Sequence, residues 1–427
     1  MTPLLLASFA ALLVVGAPIA VALGLSSALT IWAYGLPMSV LLQRAVNSVD
    51  SSPLLAVPMF ILAAGLLSAT GVTGVMFDLV RMIVGRLRGG MAHVNVLLSL
   101  VFAGMSGAAL ADIGALGGMQ VREMEKQGYT RRFAAGLTIA SATIGPIFPP
   151  SIPLIIFAAA AEVSPVRLLL AGIVPALMLA AMLMGHVALV ARAQDLPRDE
   201  LRPSLPAFLR LAVVSLPAML TPVLLIGGLL SGLFGPTEAA GITVAWSILI
   251  GVVVYRRLTL RMLVLSAQET VMATANILFV VAAAAIFAWV LTMDQVPMKA
   301  SAWLLGISDN PLVLLLILNV VLLVAGMVLE SIAAILIIAP IVTPALIQAG
   351  APPEQIGIVM VLNLMIGLLT PPVGMSLYMM AITVKMPFAE VLRGVAPFFL
   401  PLVLALALVT LFPGLTAWLP TLLMARP

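Results

Sequence analysis

An all-α, polytopic membrane protein is what this sequence predicts, and three observations carry the prediction. First, 63% of its 427 residues are hydrophobic and only 8% charged, with a mean hydropathy of +1.25; that is too little polarity to cover the exterior of a soluble fold. Second, several Leu/Ala/Val/Ile runs reach the roughly 20 residues that span a bilayer as a helix, and none has the short alternation of a transmembrane barrel. Third, the chain aligns with itself at a shift of 222 residues (326 − 104). Ala103-Gly-Met105 falls on Ala325-Gly-Met327, Gly128 on Gly350, Ile144-Gly145 on Ile366-Gly367, Pro149-Pro150 on Pro371-Pro372, Pro165 on Pro387, Gly172 on Gly394 and Pro175 on Pro397. Apolar matches are cheap in such a sequence; Gly and Pro matches mark shared backbone geometry.

Along the chain, a long apolar run at 4–33 reads as the first span, tilted or split; it lacks a basic leader, so no cleavable signal is expected. A second span at 50–70 follows, then a segment near 72–89 too polar to cross, which reads as an interfacial helix. Met91 to Met119 is long enough to cross, yet basic residues flank it on both sides (Arg81, Arg86 and Arg88 before; Arg122, Lys126, Arg131 and Arg132 after) and turn-formers fill its middle, Gly104-Met-Ser-Gly107. That predicts a re-entrant hairpin, tolerated only where protein buries it. A spanning segment at 133–160 comes next, interrupted at Gly145-Pro-Ile-Phe-Pro-Pro-Ser151. Spans at 165–190, 208–231, 237–255 and 271–292 complete the first half, and Glu238 begins one of them as a helix-start acid.

The second copy repeats the order: an interfacial helix near 294–310, a hairpin at about Pro311 to Gln348 with its tip at Gly326 to Ser331, an interrupted span at 355–384 broken at Gly367-Leu-Leu-Thr-Pro-Pro-Val-Gly374, and a last span at 395–419. Its flanks carry Asp309 and Glu354 in place of the first copy's basic residues, so by the positive-inside rule the repeats are expected to be inverted, as in many secondary transporters. Arg192, Arg198, Arg202, Arg256, Arg257, Arg261 and Lys385 then fall in the cytoplasm, and Arg44 is the one exception.

Proline removes the hydrogen bond to the carbonyl four residues earlier, so Pro149 and Pro371 free the carbonyls of Gly145 and Gly367. Bare carbonyls, with hydroxyls such as Ser106 and Thr370, suit a hard cation, and nearby helix starts suit an anion. Asp112 in the first hairpin and Glu330 near the second tip are intramembrane acids, candidates for an ion or proton role or for capping a hairpin; both readings stay open.

Several function classes are excluded. With no cysteine there are neither disulfides nor thiolate sites. The histidines, His93 and His186, have no carboxylate near them in sequence and suit packing or an interface. The three lysines, Lys126, Lys299 and Lys385, never follow a glycine, so there is no P-loop. A net charge of +4 reports basic loops, not nucleic-acid binding. An intramembrane enzyme lacks its motifs, and a channel suits buried hairpins and broken helices less well than alternating access does.

At these motifs the sequence resembles the large membrane subunit of TRAP (tripartite ATP-independent periplasmic) transporters over nearly its whole length. The resemblance is carried by Gly16-Ala-Pro18, Arg88-Gly-Gly-Met-Ala-His-Val-Asn95, Phe102-Ala-Gly-Met-Ser-Gly107, Ala111-Asp112, Gly128-Tyr129, Gly145-Pro-Ile-Phe-Pro-Pro-Ser151, Pro236-Thr-Glu-Ala-Ala240, Ala333-Ala-Ile-Leu336 and Leu369-Thr-Pro-Pro-Val-Gly374. It implies an elevator-type member of the ion-transporter superfamily in the bacterial inner membrane: a sodium-gradient-driven importer, with no other cofactor, of small organic carboxylates such as C4-dicarboxylates or sialic acid. The implied partners are a periplasmic substrate-binding protein and a small membrane subunit of about four helices, a separate chain given the length here. A stand-alone ion-coupled carboxylate transporter with the same core is the alternative. The implied organisation is scaffold with first arm helix at 1–90, first transport repeat at 91–162, scaffold with second arm at 163–310, second transport repeat at 311–384, and a C-terminal scaffold helix at 385–427. Carried over residue by residue, sodium would meet Ser106, Gly145, Phe148 and Pro150 at one site and Gly326, Gly367, Thr370 and Val373 at the other; substrate would meet Ser106, Ser151, Asn363 and Thr370. The chain departs from the family pattern at Ala108, Ala109 and Ala339, where serines or a threonine are common, so hydroxyls are fewer near the first tip.

Overall fold

A computed structural model of the chain describes residues 1–199, 204–231 and 234–424, without the Ser52 side chain; Arg202 and positions 425–427 of the expected C-terminal segment lie outside the described residues. These residues form helices and connecting turns, with no strand among them. Among the described residues, seven helices are long and apolar enough to cross a membrane, including Pro165–Ala193, Leu205–Leu230, Leu260–Met293 and Phe388–Leu411. At 34 residues, Leu260–Met293 is about 51 Å long and is the axis on which the rest is hung.

The two halves match element by element. The first hairpin enters as Gly90–Ser106 and leaves through Ala109–Asp112, a π-turn and Gly118–Lys126; the second enters as Pro311–Val328 and leaves as Ser331–Gln348. Each is followed by a broken helix, Arg131–Ala142 with Ile152–Ala160 and Pro353–Gly367 with Met375–Val384. Exit limbs starting at 109 and 331 and broken helices starting at 131 and 353 keep the 222-residue spacing. Glycine allows a close approach behind the first broken helix: Gly136 and Gly394 pack backbone to backbone, so that a Cβ on Gly136 would overlap the Gly394 carbonyl.

The first apolar run does not cross as one span. It is two helices, Thr2–Val14 and Ile19–Ala33, and it doubles back. The Thr2 amide and hydroxyl donate to Asp294 at 2.8 and 2.6 Å, holding the Asp294 carboxyl well below its ordinary pKa range, chiefly through the hydroxyl. The rings of Phe9 and Phe287 lie 5.3 Å apart, so the first helix runs antiparallel to the end of Leu260–Met293. Straight continuation would carry Gly24 about 22 Å deeper than Phe9; instead Gly24 rests on Ala283. The reversal sits at Gly16-Ala-Pro18. Gly16 adopts φ +87°, its N–H bonds to Leu13 and that of Ala17 to Leu12, which closes a Schellman turn before Pro18 starts the return. Arg44, out of place by the charge rule, lies 5.6 Å over the Trp289 ring, a cation–π contact.

Packing sorts the helices into two bodies. One gathers Ser52–Ala69, Pro236–Leu249, Leu205–Leu230 and Leu260–Met293; the other holds both hairpins and both broken helices. Pro165–Ala193 packs on the first hairpin, both broken helices and the C-terminal Phe399–Leu411 and Gly414–Leu423, with only slight contact to the scaffold helix Leu205–Leu230. The chain from 163 and the segment 385–427, expected in the scaffold, thus pack mainly on the hairpin body at those helices: a hydropathy pattern reports crossing but not which neighbour a helix chooses. Two short helices bridge the bodies. Val72–Val84 touches Leu205–Leu230 and Gly90–Ser106, and Val296–Ile307 touches Leu260–Met293 and Ser331–Gln348. The first begins at Gly71 beside Arg257, the second just after Met293, so they lie at opposite ends of the 34-residue axis. Arg81 of the first arm pairs in bidentate fashion with Asp199, which pushes the Arg81 pKa further up.

Because the chain has no native cysteine, the doubled-back start is directly testable. Single cysteines replacing Pro3, Met38 and Lys299 are expected to react with an impermeant thiol reagent from one side of the membrane, and a cysteine replacing Arg257 from the other. Labelling of Pro3→Cys together with Arg257→Cys would restore a single crossing.

Candidate transport site

At the first interruption, the helix Arg131–Ala142 unwinds into turns through Pro150. Phe148 N–H bonds to the carbonyl of Ile144, and the carbonyls of Gly145, Phe148 and Pro150 accept no backbone hydrogen bond among the described residues. Pro149 has the effect its chemistry dictates. Ser151 restarts the helix as its N-cap, accepting from Leu154 N–H at 3.2 Å, and its hydroxyl donates to the Pro146 carbonyl.

The first hairpin tip is pressed into this gap. Gly107 takes φ +63°, and a Cβ there would overlap the Pro150 carbonyl; Ile152 N–H bonds back to the Gly107 carbonyl at 3.4 Å. Gly104 faces the Phe148 ring, and Asp112 Oδ2 faces Gly145. The Ser106 hydroxyl donates to Asp112 Oδ1 at 2.5 Å. Ser106, Gly145, Phe148 and Pro150 are thus brought to one locus.

The second interruption repeats the device with different atoms. Gly326 and Gly367 meet backbone to backbone, and a Cβ on Gly367 would lie 2.7 Å from the Gly326 Cα. Val373 N–H bonds to the Met327 carbonyl at 3.3 Å. Pro371 removes the expected helical bond, yet the Gly367 carbonyl is not bare: Thr370 N–H reaches it at 2.8 Å, leaving one lone pair. The Thr370 hydroxyl donates to the Ile366 carbonyl at 2.8 Å and keeps its own lone pairs free. Both Pro-Pro peptide bonds, 149–150 and 371–372, are cis.

Of the residues expected to touch substrate, Ser106 borders a cavity, whereas Ser151, Thr370 and Asn363 have their hydrogen bonds inside the hairpin body. Asn363 Nδ2 donates to the Asn319 carbonyl and Oδ1 at 2.9 and 2.8 Å, and Asn319 in turn donates to Thr410 at 3.0 Å. The matching position in the first half is Ser141 (363 − 222), whose hydroxyl bonds Asn95 at 2.9 Å. Each network ties a broken helix to its hairpin; in the second, Asn363 makes the tie through Nδ2, and its Oδ1 is buried with no hydrogen-bond partner. Glu330 caps Ser331–Gln348, accepting from Ile332 and Ala333 N–H at 2.9 and 3.3 Å and from the Ser331 hydroxyl at 2.8 Å. His93 is buried, and His186 stands edge-on to Phe398 at 5.4 Å.

Two cavities meet at the tips. One of about 600 Å³ lies between Ala108–Ala111, Glu330–Ile332, Pro146, Leu368 and the axis residues Ala273, Asn276 and Val280. The helices Ile152–Ala160, Ser331–Gln348 and Met375–Val384 all begin on its wall, pointing positive dipole ends inward. The other, of about 580 Å³, shares Ala108, Ala111, Ile152, Ala273 and Ile277 with it and continues past Asp112, Ser266 and Glu269 toward Ala69 and Met262, near the Arg257 end of the axis. Both fall in the size range of small-molecule sites. The charged side chains on these walls are Asp112, Glu269 and Glu330, all acidic. Sequence reasoning missed Glu269 by starting its span at 271, and passed over Asn276 inside that span; a polar or acidic residue within an apolar run was the available signal.

Comparison with known proteins places this geometry. Residues 6–415 match the family described as the tripartite ATP-independent periplasmic transporter, DctM component. The sialic acid TRAP transporter large permease protein SiaM of Vibrio cholerae is 41% identical over 383 residues, 89% of each chain. The C4-dicarboxylate TRAP transporter large permease protein DctM of Pseudomonas aeruginosa is 38% identical over 404 residues, 93% of each. Among solved structures, the YdaH transporter of Alcanivorax borkumensis has the same fold, with a TM-score of 0.60 at 18% identity, over 89% of this chain and 88% of that one.

Gly107→Ala is expected to destabilise the purified protein by about 1–3 kcal/mol, because backbone cannot yield to the new methyl as a side chain would. Gly114→Ala, with open space at its Cβ position, serves as the control. Equal thermal unfolding midpoints for the two would show that the tip is not seated on Pro150.

Proposed function

The chain belongs to the DctM component family of tripartite ATP-independent periplasmic transporters, and from that premise we propose that it is the sodium-coupled, substrate-conducting subunit for a small organic carboxylate. It is a transport protein, not an enzyme, and a multi-pass protein of the bacterial inner membrane. Its substrate is sialic acid or a C4-dicarboxylate-type anion, the substrates named for its relatives. It works with a periplasmic binding protein and a small membrane subunit, the other parts of a tripartite system.

One observation carries this reading: the cavity of about 600 Å³ is walled by both hairpin tips, both interruptions and the starts of three helices. Helix starts attract carboxylate oxygens. The three acids on the joined walls oppose an anion, so the anion needs cations beside it, and the interruptions supply oxygens for them. At the first, the free carbonyls of Gly145, Phe148 and Pro150 stand with the Ser106 hydroxyl; at the second, Gly326, Gly367, Thr370 and Val373 would supply the oxygens, Gly367 through the lone pair that Thr370 N–H leaves. A sodium ion there would draw tip and interruption together and leave a less acidic cavity. The elevator reading, in which the hairpin body slides along the scaffold, is supported by the division into two bodies joined by arm helices. Inversion of the repeats is supported by the arms lying at opposite ends of Leu260–Met293. The cavity continuing toward the Arg257 end corresponds to an inward-open stage of such a cycle.

Uptake in proteoliposomes containing both membrane subunits, with loaded binding protein outside, tests the coupling. Thr370→Ala is expected to raise the sodium concentration for half-maximal uptake severalfold while leaving expression unchanged. Uptake by this variant that matches the native protein at every sodium concentration would remove Thr370 as a ligand, and uptake without sodium would end the coupled reading.

A further inference from the structure

The two interruptions match in backbone but not in charge. Asp112 is 6% exposed; its Oδ1 accepts from Ser106 at 2.5 Å, while its Oδ2 is buried with no hydrogen-bond partner. Oδ2 lies 2.8 Å from where a Cβ on Gly145 would sit, so it faces the interrupted backbone across the tip. The cavity beside it has no Lys, Arg or His among its lining residues. The position 222 residues on is Ala334. Glu330, the second hairpin's acid, corresponds to Ala108 (330 − 222) and has its oxygens occupied by the helix start that it caps.

A carboxylate oxygen removed from water without a donor is costly, and among the described residues no donor reaches this one. A hard cation would relieve it, because carboxylate and carbonyl oxygens are its preferred ligands and a full charge at contact outweighs the carbonyl dipoles alone. We propose that Asp112 is a ligand of the first cation site and makes it the tighter of the two, so that it fills before the site at Gly326, Gly367, Thr370 and Val373. The proposal rests on the sodium-coupled reading above and adds an order to it.

Sodium titration of the purified chain without substrate, at constant ionic strength with choline, tests it through the thermal unfolding midpoint. The native protein is expected to respond in two steps. Asp112→Asn keeps the size and a partner for Ser106 but removes the charge; it is expected to weaken the tighter step tenfold or more and spare the looser, with Thr370→Ala doing the reverse. Should Asp112→Asn fail to fold, single cysteines at the tips give the same answer, with low sodium slowing alkylation of Ala108→Cys and only higher sodium that of Ile332→Cys. A single step, protection of the second tip first, or equal effects of the two substitutions would overturn the order while leaving coupling intact. Absence of any sodium effect on the native protein would sink the coupled reading and this proposal together.

Discussion

Peptide groups released from a helix inside a membrane must be covered by protein, because lipid offers them nothing. The fold answers that constraint twice with one arrangement, a hairpin tip set backbone to backbone into the gap of a broken helix. Contact this close excludes side chains, which is why Gly326 lies on Gly367 and Gly107 on the Pro150 carbonyl. Each tip also accepts a hydrogen bond across the gap, from Ile152 N–H at the Gly107 carbonyl and from Val373 N–H at the Met327 carbonyl. Tip and interruption therefore form one unit, and the helices behind them, Pro165–Ala193 and Phe399–Leu411, hold the two units in register.

Much of this was legible in the sequence because Gly and Pro constrain the backbone directly. The second hairpin was expected at Pro311 to Gln348 with its tip from Gly326, and the helices are Pro311–Val328 and Ser331–Gln348. The interruptions were placed by Pro149 and Pro371 through the bonds that proline cannot make. Charge was equally readable at the first hairpin, where arginines on both flanks favour a chain that returns to the side it left.

What stayed hidden depends on distant partners. The run at 4–33 has the length of one crossing, and its Gly16-Ala-Pro18 turn reads alone as no more than a kink. Only the contacts of Thr2 with Asp294 and Gly24 with Ala283 reveal the reversal. Likewise, nothing in the composition of Pro165–Ala193 says which body it joins, since an apolar helix satisfies lipid and protein alike. At the site, Ser151, Thr370 and Asn363 were legible as polar groups near the breaks, but their donors turn to Pro146, Ile366 and Asn319. Proximity in sequence to an interruption identifies candidates; the direction of a hydroxyl is settled by packing.

The charges on the cavity walls give the arrangement its logic. A compartment proposed to hold an anion would ordinarily carry a base, yet the charged groups bordering these two cavities are Asp112, Glu269 and Glu330. Glu330 has its oxygens engaged by the helix start that it caps, and Glu269 is exposed. Asp112 is the acid left enclosed and half-satisfied beside the first interruption. An anion entering alone would meet that field, whereas one accompanied by cations at the tips would meet helix starts and balanced charge. Under the proposed coupling, dependence of anion transport on a cation gradient would need no separate device, because each ion would make the compartment habitable for the other.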